Sequence, residues 1–251
     1  MKILIANWKM APEKKVQAID LAKKSNLLAK KYKKNISLII CSPSIHISNV
    51  SKFTKTAKLG AQWVSSITEI AQTGLISANM LKDYGVEHCI IGHSESRSRG
   101  DTNEIIKEQS KRLLEKKIIS ILCVGETERD SHGWYLSTVK DQIESILKDI
   151  PKSMLKYFII AYEPVWAIGK NAIRQANPEE CNEMVIFIRK IITDIHGEKS
   201  AALVNILYGG SVDEINAINF VKEGNIQGFL VGRASLDIKK FEKLTANIVS
   251  I

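Results

Sequence analysis

Eight short apolar runs punctuate the chain, and longer stretches with helical spacing of apolar residues separate them. The runs are Ile3 to Ala6, Leu38 to Cys41, Leu59 to Ala61, Cys89 to Ile91, Ile119 to Val124, Phe158 to Tyr162, Val204 to Tyr208 and Phe229 to Val231. Most are apolar at consecutive positions, the pattern of strands covered on both faces, as in a parallel sheet with helices outside. Between the fifth and sixth runs, Val139, Ile143, Ile146, Leu147 and Ile150 share one helical face; between the sixth and seventh, Met184, Val185, Ile188, Ile191 and Ile192 do the same. Asn177-Pro178-Glu179-Glu180 starts that second helix with a capping Asn, Pro in the first turn and acids at the positive dipole end. Eight strand-helix units without a composition break predict one domain over residues 1–251, a closed eight-fold β/α barrel with eight parallel strands; a doubly wound open sheet has the same alternation and is the alternative.

The net charge of +9 suits anionic partners, but the lysines are dispersed, and Lys23-Lys24, Lys30-Lys31 and Lys33-Lys34 read as the solvated face of one helical segment. No nucleic-acid motif accompanies them, so neither nucleic acid nor a membrane is expected as a partner. Cys41, Cys89, Cys123 and Cys181 are widely spaced, form no C-x-x-C pair and have no matching metal-ligand histidines, so reduced thiols in a cytoplasmic protein are expected. The run Ile3 to Ala6 is too short for a signal peptide or a membrane span.

In a β/α barrel the site forms at the C-terminal ends of the strands, so the polar residues just after each run are the candidates. Asn7 and Lys9 follow the first run, His93 and Glu95 the fourth, Glu163 the sixth, Gly209-Gly210-Ser211 the seventh and Gly232-Arg233 the eighth. A carboxylate, an imidazole, a cation and two glycine-bearing loops thereby meet at one mouth. Pro164 biases Glu163 toward extended backbone. His93, before Ser94-Glu95-Ser96, is placed at the N-terminus of a short helix, whose dipole disfavours the imidazolium. His88 begins the opposite end of the same strand, on the stability face, whereas His46, His132 and His196 read as surface or packing residues.

The segments Asn7-Trp8-Lys9-Met10, Gly92-His93-Ser94-Glu95, Cys123-Val124-Gly125-Glu126, Ala161 to Gly169, Tyr208 to Val212 and Gly228 to Gly232 resemble, in order and spacing, the triosephosphate isomerase family. The resemblance implies a TIM barrel that interconverts dihydroxyacetone phosphate and D-glyceraldehyde 3-phosphate without a cofactor or metal. It implies Glu163 as base, His93 as proton relay and Lys9 as fixed charge, with Asn7 either positioning the lysine or donating to the same oxygen, and Glu95 paired to the lysine as a structural ion pair or with a direct part in proton transfer. The phosphate is expected on the backbone N–H groups of Gly169, Ser211, Gly232 and Arg233. Ser211 also reads as a helix cap before Asp213-Glu214. Pro164 to about Ala176 resembles a lid, and Ala71-Gln72-Thr73-Gly74 resembles a loop that inserts into a second subunit, which implies a homodimer. Two departures stand out: Lys170 to Ala176 lacks the glycine of the usual second hinge, and Arg233 stands where a second glycine is usual. The rival readings are an isomerase for a four-carbon ketose phosphate and a non-catalytic phosphate-binding protein on the same scaffold.

Overall fold

A computed structural model describes residues 1–169 and 172–250. Among the described residues, eight parallel strands close into a barrel in sequence order. They are β1 (Lys2–Asn7), β2 (Ile36–Cys41), β3 (Lys58–Ala61), β4 (His88–Ile91), β5 (Ile119–Val124), β6 (Phe158–Tyr162), β7 (Asn205–Tyr208) and β8 (Gly228–Val231). β8 pairs back onto β1, with Ile3 beside Gly228 and Ala6 beside Val231, which settles the choice between closed barrel and open sheet. The expected runs fall within a residue or two of these bounds. Val204 alone lies outside its strand, one residue before β7.

The helices around the barrel are α1 (Lys15–Lys31), α2 (Ile47–Val50), α3 (Ala78–Asp83), α4 (Ser94–Arg97), α5 (Asn103–Glu115), α6 (Trp134–Leu147), α7 (Pro178–His196), α8 (Glu198–Ala201), α9 (Ala217–Glu223) and α10 (Ile238–Val249). Among the described residues no helix is long and apolar enough to cross a membrane.

Strand alternation divides the apolar residues into two cores. One set, including Ile5, Ile39, Ile90, Ile121, Ile159, Leu207 and Leu230, fills the barrel interior. The neighbouring positions, such as Leu4, Ile40, Ile91, Leu122, Ile160 and Phe229, face the helices and join their inner stripes. The α7 stripe from Met184 to Ile192 is buried as expected, and Asn177 and Glu180 form a reciprocal capping box at its start. α6 ends at Leu147, so Ile150 packs from the turn beyond the helix. The lysine tracts on and after α1 are exposed; Lys24 pairs with Asp20 and Lys31 with Glu242.

Candidate active site

The C-terminal mouth encloses a cavity of about 560 Å³ lined by Asn7, Lys9, His93, Glu163, Gly169, Ser211, Gly232 and Arg233, among others. Every residue expected to contact substrate is therefore at this one mouth, brought from five strand ends and the segment after β6. Glu95, the supporting residue, reaches it through Lys9, whose Nζ lies 2.5 Å from Glu95 Oε1. Burial raises the Glu95 carboxyl pKa, but the Lys9 hydrogen bond and the nearby His93, Lys9 and Arg99 outweigh it and hold the group below its ordinary value.

Lys9 sits at φ 52°, a left-handed backbone that a lysine adopts only when its surroundings impose it. Two side chains do so. The Lys9 N–H donates to Asn7 Oδ1 at 3.0 Å, and Gln62 Nε2 donates to the Lys9 carbonyl at 2.9 Å while also reaching the Cys41 carbonyl. Asn7 thus positions the lysine through its backbone. Gln62 had no sequence signal beyond following β3, because its partners lie far away in the chain.

His93 is the N-cap of α4, and its Nδ1 accepts the Glu95 N–H at 3.1 Å. A ring nitrogen that accepts from an amide carries no proton, so the proton of the neutral ring sits on Nε2. That Nε2 lies 3.1 Å from Glu163 Oε1, and Glu163 Oε2 accepts the Ser94 N–H at 3.0 Å. Both residues are almost wholly buried. The flanking strand ends clear space for the carboxylate. A Cβ on Gly209 would stand 3.0 Å from Glu163 Cγ, and one on Gly125 only 1.8 Å from the Glu163 carbonyl oxygen.

Among the described residues, the backbone N–H groups of Ser211, Gly232 and Arg233 donate to no backbone carbonyl. Gly232 is the N-cap of a short 3₁₀ turn, Arg233–Leu236, and all three residues line the cavity. Ser211 corrects the sequence reading. No helix begins there, since α9 starts at Ala217 and Asp213 and Asn216 cap each other's backbone between the two. The Ser211 hydroxyl instead donates to the Ala167 carbonyl at 2.9 Å, tying the β7 loop to the segment after β6.

That segment is anchored by a residue to which the sequence assigned no role. Glu126, directly after β5 and 1% exposed, accepts from Tyr162 Oη and Trp166 Nε1, each at 2.8 Å, and from Arg129. The rule that singled out His93 and Glu163, a polar residue just past a strand, also marks it. At the other end, Arg174 stacks 4.5 Å over the Trp166 ring and binds both carboxylate oxygens of Glu180 in the α7 capping box. Lys170 and Asn171, part of the altered hinge, lie outside the described residues.

The four cysteines are free and buried, and burial pushes the Cys181 thiol up to about 12, so none is a nucleophile at neutral pH.

A family profile described as triosephosphate isomerase matches residues 2–248. The chain is 35% identical over 244 residues to the triosephosphate isomerase of Alkaliphilus oremlandii, covering 95% of this chain and 96% of that one. It is 38% identical to the triosephosphate isomerase of Dictyoglomus turgidum, with 96% of each chain covered. The enzyme of the same name from Thermus thermophilus is 36% identical, again over 96% of both chains. With near-complete coverage, a closed β/α barrel and the ordered motifs at one mouth, the chain belongs to the triosephosphate isomerase family.

Proposed function

We propose that this protein interconverts dihydroxyacetone phosphate and D-glyceraldehyde 3-phosphate, as an enzyme of glycolysis and gluconeogenesis, with Glu163 as the base, His93 as the oxygen-side acid and Lys9 as the electrostatic stabiliser. The observation that carries the reading is the pairing of a buried carboxylate with a neutral imidazole whose donor nitrogen faces the cavity. Glu163 takes a proton from the carbon beside the carbonyl while His93 Nε2–H donates to the carbonyl oxygen. The resulting enediolate carries its charge near the Lys9 ammonium. His93 then moves a proton between the two oxygens, and Glu163 returns its proton to the neighbouring carbon, so the reaction is balanced without a redox partner.

One step follows from the geometry. The single Nε2 proton of His93 now serves Glu163, and a substrate carbonyl competes for it. Once the carbonyl takes that donor, the carboxylate is released from it and is free to turn to the carbon-bound proton. The phosphate rests on the N–H groups of Gly169, Ser211, Gly232 and Arg233, and the segment from Pro164 to about Ala176 acts as the lid that keeps water from the enediolate. Residues 1–251 work as one catalytic domain. A homodimer, with the loop around Thr73 in its interface, and a cytoplasmic setting complete the proposal; the buried free cysteines and the fully exposed Ile70 in that loop support them.

The test is a coupled assay of the purified protein on D-glyceraldehyde 3-phosphate, with the four-carbon homologue and Glu163→Gln in parallel. Removing the base is expected to lower kcat by about 10²- to 10⁴-fold with KM little changed. Equal activity of wild type and Glu163→Gln would exclude the assigned base, and turnover of the homologue alone would reassign the substrate.

A further inference from the structure

The opposite, N-terminal mouth of the barrel holds a second cavity, of about 280 Å³. The alternation that points Ile39, Ile90 and Leu207 into the barrel also points inward the residues two positions earlier on the same strands, which are Ser37, His88 and Asn205. Gly60 is inward on β3, its missing Cβ facing Cys41 Sγ, so Lys58 is inward as well. All four line the cavity, and Met1 and Lys156 stand at its rim. Among the described residues no acidic side chain lines it.

His88 makes this more than a polar dimple. It is 2% exposed, yet its Nδ1 has no hydrogen-bond partner. Buried polar atoms are almost always satisfied, so a buried ring that lines a cavity with a nitrogen left unsatisfied points to a group that belongs beside it. Burial, aided by the Lys58 charge, drives the His88 pKa down to about 3, so the ring is a neutral donor and the positive charge of the pocket comes from Lys58 and the rim. A charge without a carboxylate partner, beside neutral donors, is the chemistry of an oxyanion site.

We propose that the N-terminal mouth is a binding site for a small tetrahedral oxyanion, held by the Lys58 ammonium and by hydrogen bonds from His88, Ser37 and Asn205. It is separate from the catalytic mouth and does not depend on the isomerase reading. Size favours an inorganic ion such as phosphate over a phosphorylated sugar, because the cavity has half the volume of the one at the other end.

The experiment follows the histidine ring resonances of the full-length protein during a titration with inorganic phosphate, at ionic strength held constant with chloride. His88 is assigned with His88→Asn, and His93 reports the catalytic mouth as an internal control. The expected result is a saturable shift of His88, with the half-saturating phosphate concentration raised about tenfold or more in Lys58→Met while the His93 response is unchanged. Isomerase activity retained by Lys58→Met shows that the variant is folded. A His88 resonance that drifts linearly or stays still, or one that saturates equally in Lys58→Met, overturns the proposal.

Discussion

At the level of single residues, the catalytic mouth depends on hydrogen bonds that decide protonation. The Glu95 amide fixes which nitrogen of His93 is bare, and so makes Nε2 the donor that reaches Glu163. Lys9 holds a left-handed backbone because Asn7 and Gln62 take up its amide and carbonyl. Lys9, His93, Glu163 and Gln62 all follow strands, which is the local signal they share; what Gln62 holds was not legible, because its partners are 53 and 21 residues away. His88 leads to a prediction about stability. Its folded pKa of about 3 lies below the ordinary 6.5 of an exposed histidine, and its surroundings include the Lys58 charge. The unfolded chain therefore binds the proton first. The stability from keeping this ring neutral is complete above about pH 6.5 and is lost, at about 1.4 kcal/mol per pH unit, as the pH falls toward 3. Urea unfolding at several pH values is expected to show a shallower acid-side slope in His88→Asn than in wild type.

At the level of elements, the segment after β6 is held at both ends by contacts its own sequence does not advertise. Trp166 donates to Glu126 from the next strand end, and Ser211 reaches across to Ala167. A Gly-Gly-Ser stretch before acids looks like a cap when read linearly, but the chain continues as a turn and the hydroxyl donates to the segment after β6. Arg174 clamps Trp166 to Glu180 at the start of α7. Arg174→Gln is therefore expected to lower kcat/KM about two- to fivefold and to speed amide exchange in residues 172–176. Glu180→Gln should do much the same. The double variant should be no worse than Arg174→Gln alone, because the ion pair is lost in both; additive losses would show that the two side chains act apart.

For the molecule as a whole, the loop carrying Thr73 leaves Ile70 fully exposed and Ile67 partly so, apolar area that a self-complementary two-fold contact would cover. Sedimentation is expected to show a dimer at micromolar concentration, shifted toward monomer with reduced activity in Thr73→Arg; a fully active wild-type monomer at that concentration would refute the dimer. Much of this architecture was readable from the linear sequence, for local reasons. Apolar runs without alternation mark doubly covered strands, a 3.6-residue stripe marks each packing helix, Asn177-Pro178 marks a helix start, and the residue after each strand marks the reactive rim. Tertiary structure decided what depends on distant partners. Closure rests on β8 pairing with β1 at opposite ends of the chain, and the buried anchor at Glu126 on groups from β6 and the segment after it. The unpartnered nitrogen of His88 exists only because four strands turn polar residues toward the same mouth. Periodicity is a property of neighbours along the chain, whereas hydrogen-bond satisfaction is a property of neighbours in space.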